Sequence, residues 1–183
     1  MSRFYPFAEI EPRWQRDWVE RKTFRAVEDP SRPKYYCLDM FPYPSGAGLH
    51  VGHLEGYTAT DILSRYKRMR GFNVLHATGW DAFGLPAENA ALQHNDHPRD
   101  FTDRAVVAMK AAMHQIGLGY DWTRELNTSQ PEYIRAQQIL FLQFFKNGLV
   151  YRDTSFVNWC ESCGTVLANE QAEGGVCWRC HSK

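Results

Sequence analysis

The strongest constraint on the fold is a strand–helix–strand pattern between residues 34 and 76. Lys34–Met40 is a short apolar run typical of a buried strand, and Phe72–His76 predicts a second strand. Between them, apolar side chains recur at helical spacing over residues 51–70, before a glycine that is typical of a helix end. The predicted apolar face of this helix consists of Leu54, Tyr57, Ile62, Tyr66 and Met69. Because strands joined through a helix pair in parallel, the pattern predicts a βαβ unit of an α/β fold.

The loop between the first strand and the helix predicts a phosphate-binding site. It is rich in glycine (Gly46, Gly48 and Gly52) and carries two histidines, His50 and His53, at the predicted start of the helix. Such a loop faces the crevice at the carboxyl ends of parallel strands, and a helix N-terminus offers free N–H groups to an anion. The imidazoles can donate hydrogen bonds to phosphate oxygens, so we expect ATP here. The alternative for the tetrapeptide alone is a pair of helix-capping histidines.

Other segments predict further elements around this unit. We expect a helix over Pro6–Arg21, a glycine-rich turn over Gly79–Pro86, and helices over Pro86–His94 and Phe101–Ile116. Ser129 and Glu132 form a capping-box pattern that opens a further helix ending at Asn147, and its apolar side chains predict that it is largely buried. The predicted strand Val150–Asn158 leads into a cysteine-rich segment.

Four of the five cysteines form two CxxC pairs near the C-terminal end: Cys160 with Cys163, and Cys177 with Cys180. This spacing is close to that of a zinc ribbon, and four thiolates in tetrahedral geometry suit a structural Zn²⁺. The alternatives are four reduced thiols without a metal, or His181 in place of Cys180 as the fourth ligand. The remaining cysteine, Cys37, is expected to be a small buried apolar side chain.

Composition excludes several classes of protein. The formal net charge is +0, so the sequence does not indicate nucleic-acid binding through electrostatic attraction alone. No segment approaches the roughly 20 apolar residues of a membrane span, and the N-terminus has no apolar signal core. We therefore expect a cytoplasmic protein, in which the paired cysteines are metal ligands rather than disulfides.

Three stretches together resemble a known family. Pro42–His53 (PYPSGAGLHVGH) is similar to the HIGH signature of class I aminoacyl-tRNA synthetases, with Val51 in place of isoleucine. Gly79–Ala91 (GWDAFGLPAENAA) resembles a second stretch of the leucyl enzymes of bacterial type, and Asn158–Glu170 resembles their zinc module. The resemblance covers nearly the whole chain. It implies a Rossmann-like parallel sheet, of which this chain would carry the N-terminal half together with a small zinc-ribbon module.

The resemblance also implies roles for individual residues. The enzymes activate leucine with ATP and Mg²⁺, then transfer it to tRNA(Leu), and His50 and His53 would be the catalytic contacts. The implied ATP contacts are Pro42, Tyr43, Pro44, Gly48, His50, Gly52 and His53. The implied amino-acid contacts are Met40, Phe41, Tyr43 and Asp81. Asp81 would pair with the ammonium group; the alternatives are a turn residue at Asp81 and ordinary core packing for Phe41 and Tyr43.

The same resemblance predicts the organisation of the chain. We expect a helical segment at 1–33, a Rossmann-like catalytic half at 34–157 and a zinc module at 158–183. The family's KMSKS-like lysine loop has no counterpart here, so we expect a fragment with feeble activity of its own. Two other functions stay open: a non-catalytic module that binds zinc and nucleotide, and a different HxGH nucleotidyltransferase.

Overall fold

The fold is that of a computed structural model, which describes residues 4–45 and 48–183. Gly46 and Ala47, which include one of the predicted loop glycines, lie outside the described residues. The chain divides into two compact units, Met1–Gln137 and Gln138–Lys183. Each unit is described by itself below.

The predicted βαβ unit is confirmed in the first compact unit. Strand β1 (Lys34–Cys37) and strand β2 (Asn73–His76) pair in parallel, with Cys37 opposite His76 at their carboxyl ends. Helix α2 (Val51–Met69) forms the crossover between them. The first strand is shorter than predicted, because Leu38 to Met40 leave the ladder, and the side chains of Leu38 and Met40 are exposed. Cys37 is buried as expected.

A second two-stranded parallel sheet, which the sequence did not predict, continues the same unit. Strands β3 (Gly79–Trp80) and β4 (Leu126–Asn127) pair in parallel with Gly79 opposite Leu126. A Cβ atom on Gly79 would lie 2.5 Å from the Leu126 carbonyl oxygen, so this close approach requires glycine. The described fold is thus α/β with small parallel sheets.

The helices of the first unit follow the predicted positions closely. They are α1 (Phe7–Glu20), α2, α3 (Leu85–Gln93) and α4 (Pro98–Ile116), and α5 (Pro131–Lys146) begins at the end of this unit. Gly117 ends α4 in the left-handed conformation, as a C-terminal glycine does. The buried apolar core of this unit consists of Tyr57, Trp80, Met109, Met113, Leu118 and Tyr120.

Two details of the predicted helices were wrong. On α2, Tyr57 is buried as predicted, but Ile62, Tyr66 and Met69 are exposed, because the buried side of the helix runs from Tyr57 to Ser64. At the start of α5, the Ser129 hydroxyl donates to the Asn127 side chain and does not sit at the helix cap, because the helix begins two residues later.

The second unit holds a small antiparallel hairpin, β5 (Asn158–Cys160) with β6 (Thr165–Leu167). The predicted strand is therefore confirmed only at its last residue, because residues 150–157 form no ladder. The prediction of a largely buried α5 was also wrong: no residue of the helix is buried, and its apolar side chains from Ile139 to Phe145 are exposed. Buried residues of the second unit, all of it described, are confined to Cys160, Leu167 and Cys177, so no apolar layer of this unit covers the helix.

Across the described part of the chain, none of the helices combines the length and the apolar content that crossing a membrane requires.

Candidate functional site

The two histidines lie together at the beginning of α2. His50 is the residue that precedes the helix, in an extended backbone conformation, and His53 lies in the first turn. Their ring centroids are 3.8 Å apart with planes tilted by 31°. The backbone amides of Val51 and Gly52, which open the helix, donate to no described residue. Two imidazoles and free amide groups therefore meet at one helix end, a combination suited to an anion.

A hydrogen bond fixes which nitrogen of His53 carries the proton. The backbone N–H of His50 donates to Nδ1 of His53 at 3.2 Å, so Nδ1 is unprotonated and the proton of the neutral ring lies on Nε2. Burial lowers the pKa of His53, and the neighbouring His50 lowers it further. His53 is thereby kept in the neutral form, with one N–H left to donate.

Gly52 is the residue on which the His50 ring rests. A Cβ atom at this position would lie 3.1 Å from both Cε1 and Nδ1 of the His50 ring. Any other residue would make a tighter contact than is usual here, and the imidazole would have to shift by a few tenths of an ångström. The glycine of the tetrapeptide thus leaves space for the His50 ring, besides the ATP contact that the resemblance implies for it.

The chain that leaves β1 brings the predicted amino-acid contacts to the carboxyl end of the sheet. Met40 is 89% exposed, Tyr43 is exposed and Phe41 is half-buried, so these side chains are open to a ligand rather than packed in the core. Pro42 and Pro44 are buried and hold the segment against the unit. The alternative of ordinary core packing therefore does not describe Tyr43.

Asp81 lies beside this segment, because two loops are joined at this point. The backbone N–H of Asp81 donates to the carbonyl of Pro42 at 3.1 Å. The next amide, that of Ala82, donates to the hydroxyl of Thr128 at 2.9 Å, which ties the loop after β3 to the end of β4. The four predicted amino-acid contacts therefore belong to one corner of the unit: Met40, Phe41, Tyr43 and Asp81.

A buried polar network beneath this corner was not predicted. The Asp39 carboxylate accepts hydrogen bonds on Oδ2 from the hydroxyl of Tyr120, at 2.6 Å, and from Nε2 of His76, at 2.8 Å. Next to it, the hydroxyl of Tyr57 donates to the carbonyl of Met40 at 3.1 Å. The sequence carried one signal of this network: Asp39 and His76 are polar residues at the ends of apolar strand-like runs. A polar residue in such a place needs a buried partner.

The network shifts the pKa of its members. Burial raises the pKa of the Asp39 carboxyl, but the hydrogen bonds from His76 and Tyr120 act in the opposite direction, and the pKa lies below its ordinary value. Burial and the nearby Asp39 charge raise the pKa of Tyr57 to about 12. Asp39 is therefore an ionised acceptor at neutral pH, and Tyr57 is a hydroxyl donor.

The basic residues at the C-terminal end of α2 largely contact the protein itself. Arg65 pairs with Asp61 at 2.7 Å and donates to the Gly117 carbonyl. Arg68 donates to the carbonyl of Phe24 at 3.0 Å. These bonds give both guanidinium groups a structural role in packing the helix.

The four paired cysteines converge in the second unit. The sulfur atoms of Cys160, Cys163, Cys177 and Cys180 all lie within 4.8 Å of one another, and those of Cys160 and Cys180 are 3.5 Å apart. A tetrahedral zinc site with Zn–S bonds of 2.3 Å requires sulfur atoms about 3.8 Å apart. Hydrogen bonds from Ser182 lower the pKa of Cys180 to about 6, which favours the thiolate. The cluster fits a zinc ion, and the described group does not include His181.

Comparison with known proteins gives one family. The model of tRNA synthetases class I (I, L, M and V) matches residues 13–174. A leucine–tRNA ligase of Syntrophus aciditrophicus (strain SB) is 52% identical over 183 residues, which are 100% of this chain and 21% of the relative. One of Sorangium cellulosum (strain So ce56) is 60% identical over 173 residues, or 93% of this chain and 20% of the relative.

A solved structure agrees with these relatives. The crystal structure of the ternary complex LeuRS–tRNA–LeuAMS from Agrobacterium radiobacter K84 matches with a TM-score of 0.88 and 45% sequence identity. The match covers 98% of this chain and 23% of that chain. The chain thus spans about a fifth of the length of the curated relatives. These comparisons confirm the resemblance predicted from the sequence.

Proposed function

Because this chain belongs to the class I tRNA synthetases, we propose that it forms the part of a leucine–tRNA ligase that binds ATP and leucine. The observation that carries the proposal is the histidine pair at the start of α2, with His50 resting on Gly52 and bonded to His53. It lies in the loop that follows β1 of the parallel βαβ unit, where α/β proteins bind nucleotides.

We assign the ATP phosphates to the first turn of α2. The Nε2–H group of neutral His53, the ring of His50 and the free amides of Val51 and Gly52 would donate to phosphate oxygens. Gly48 and the segment Pro42–Pro44 would border the nucleotide. The oxygens gain charge as the bond between the α- and β-phosphates breaks, and each donor aimed at them lowers the barrier by roughly 3 kcal/mol.

We assign leucine to the corner formed by residues 40–43 and Asp81. The ammonium group would pair with the Asp81 carboxylate, whose loop is held by the hydrogen bond to Pro42. The side chains of Met40, Phe41 and Tyr43 would contact the leucine side chain. The leucine carboxylate then attacks the α-phosphate of magnesium-bound ATP, forms leucyl-adenylate and expels pyrophosphate. No protein nucleophile takes part, so catalysis consists of positioning and charge stabilisation.

We assign a structural Zn²⁺ to the four cysteines of the second unit. Its part is to hold the β5–β6 hairpin and the second CxxC pair together, with four protein ligands and no open position for chemistry. Transfer of the leucyl group to tRNA(Leu) belongs to a protein of the relatives' length in our proposal. We place it in the cytoplasm, where thiols stay reduced.

The proposal is tested by the exchange of labelled pyrophosphate into ATP. We expect a slow exchange that depends on leucine and not on isoleucine, valine or methionine at the same concentration. H50A and H53A should each reduce the rate by about 100-fold, the effect of losing one transition-state donor.

The outcomes separate the alternatives. Exchange that is independent of the amino acid would indicate a different HxGH nucleotidyltransferase. Bound ATP without any exchange would indicate a non-catalytic module. Tyr66→Phe, on the exposed side of α2, is the control and should leave the rate unchanged.

A further inference from the structure

We propose that the buried Asp39–His76–Tyr120 network, together with Tyr57, positions the segment 40–43 and thereby sets the affinity for the amino-acid part of the ligand. These four residues touch no reacting atom and are positioning residues. The inference rests on the proposed function, since it assigns the leucine subsite to that segment. It divides the site into two parts: a nucleotide part at the helix start and an amino-acid part anchored from beneath.

The first anchor is the Asp39 side chain. It is the residue next to Met40, it is 8% exposed, and its Oδ2 atom accepts from both Tyr120 and His76. Tyr120 and His76 are themselves 1% and 0% exposed, and they come from separate parts of the chain. A buried carboxylate held by two donors has one favourable position, so the backbone at Asp39 is fixed where the strand ends.

The His76 ring shows that this bond has a defined direction. Its Nδ1 atom is buried and has no hydrogen-bond partner among the described residues, whereas Nε2 lies 2.8 Å from Asp39. A proton on Nδ1 would be a buried donor without an acceptor, which is costly, so the proton belongs on Nε2. His76 therefore acts as a donor to Asp39 through a single nitrogen. The conservative replacement is glutamine, whose side-chain amide can donate from a similar position.

The second anchor is the hydroxyl of Tyr57, which donates to the Met40 carbonyl at 3.1 Å. This bond joins helix α2 to the segment directly, and the Tyr57 ring contacts the Tyr120 ring edge to face at 6.4 Å. Met40 is thus held by its backbone, while its side chain is 89% exposed. An exposed apolar side chain on an anchored backbone can meet a ligand with little loss of backbone entropy on binding.

The anchors act on residues 39 and 40, and the hydrogen bond from Asp81 to Pro42 extends their effect to the predicted ammonium site. Pro42 and Tyr43 also border the nucleotide, but the groups that would contact the phosphates depend on different bonds, those between His50, Gly52 and His53. Among the described residues, this pair meets the anchors where His53 stacks on Tyr57, with centroids 5.7 Å apart. Loosening the anchors should therefore weaken the binding of leucine much more than the binding of ATP.

The first test follows amide hydrogen exchange of the free chain, which needs no ligand. Tyr57→Phe and His76→Leu should speed exchange at Met40, Phe41 and Tyr43 by about tenfold, the effect of losing one hydrogen bond. The exchange rates of amides in the middle of α4 should not change. Tyr66→Phe is the matched control, because it lies on the same helix and is 49% exposed. H76Q should restore slow exchange.

The second test measures dissociation constants of two probes, ATP alone and LeuAMS, an analogue of leucyl-adenylate. Y57F, Y120F and H76L should each raise the dissociation constant of LeuAMS about tenfold and that of ATP less than twofold. H76Q should bind LeuAMS with a dissociation constant within twofold of that of the unaltered chain. An equal loss for both probes, no loss for either, or faster exchange throughout the first unit would overturn the positioning role.

The two proposals fail in different ways. If the unaltered chain binds neither probe, the proposed function fails, and the hydrogen-exchange result alone decides whether these residues fix the segment. If the chain binds LeuAMS and the anchor variants bind it unchanged, the proposed function stands and the positioning role is lost.

Discussion

The two compact units are stabilised in different ways. The first buries a cluster of six large side chains around Met109 and Met113, and it places buried polar bonds beneath its candidate site. The second buries one apolar residue, Leu167, between two cysteines. An apolar core of this kind supports a fold by itself, whereas so small a cluster does not. The second unit should therefore depend on the proposed zinc ion for its fold, and the first unit should not.

The difference also concerns how each site is held. The four cysteines are brought together by a hairpin and a few turns, and a bound ion would fix them in place. The histidine pair and the segment 40–43 are held by hydrogen bonds and packing that exist without a ligand. We therefore expect the first site to be preformed and the second to form with zinc.

The largest effect should follow removal of the metal. A chelator, or the substitution C177S, should abolish stoichiometric zinc and unfold the β5–β6 hairpin, because structural zinc contributes about 10 kcal/mol or more to such modules. Elemental analysis and hydrogen exchange would measure this. The control is C37S, a buried cysteine outside the cluster, which should leave the zinc content unchanged. Full protection of the hairpin without zinc would remove the proposed difference between the units.

The next effect concerns the apolar core. Met113 is 0% exposed, so M113A should lower the free energy of unfolding of the first unit by about 3 kcal/mol through lost burial and a cavity. Val107 lies on the same helix and is 69% exposed, so V107A should change the free energy of unfolding by less than about 0.5 kcal/mol. Urea denaturation, monitored by the fluorescence of the aromatic side chains in the core, would give both values. Equal effects of the two substitutions would contradict a core centred on α4.

A smaller, pH-dependent effect should appear at Asp39. Its pKa is lowered in the folded chain, so its contribution to stability is present above its unfolded pKa of about 3.9 and is lost as the pH falls through the folded pKa. D39N should destabilise the first unit by about 2 kcal/mol at pH 7, and the difference should shrink at pH 3. D103N, at an exposed position of α4, is the matched control. A cost of D39N that stays constant between pH 7 and pH 3 would show that its charge is not involved.

The smallest effect should be the titration of His53. Because burial and then His50 lower its pKa below the ordinary 6.5, the protonated form is disfavoured in the folded chain, and stability declines as the pH falls below that value. NMR titration of the ring should place the pKa of His53 below 6.5, and H50A should move it part of the way back. A value at or above 6.5 would contradict both the partial burial of His53 and the effect of its neighbour His50.

The sequence predicted the βαβ unit and the cysteine cluster because both are encoded locally, by periodicity and by spacing. It did not predict β3 and β4, because each strand has two residues and no detectable pattern. It also missed the partners of Asp39, since Tyr120 is 81 residues away and nothing local connects them. The prediction that α5 is buried was wrong for a related reason. The apolar side chains of a helix indicate that it can pack against another element, but they do not show which element covers it.

We propose above all that residues 40–43 and 48–53, together with Asp81, form a preformed site for leucine and ATP. Its most direct test is calorimetric titration of LeuAMS into the unaltered chain and into a variant that carries both H50A and H53A. We expect saturable binding at one site per chain, weakened at least tenfold in the double variant. Binding of equal affinity by both proteins, or no binding by the unaltered chain, would contradict it.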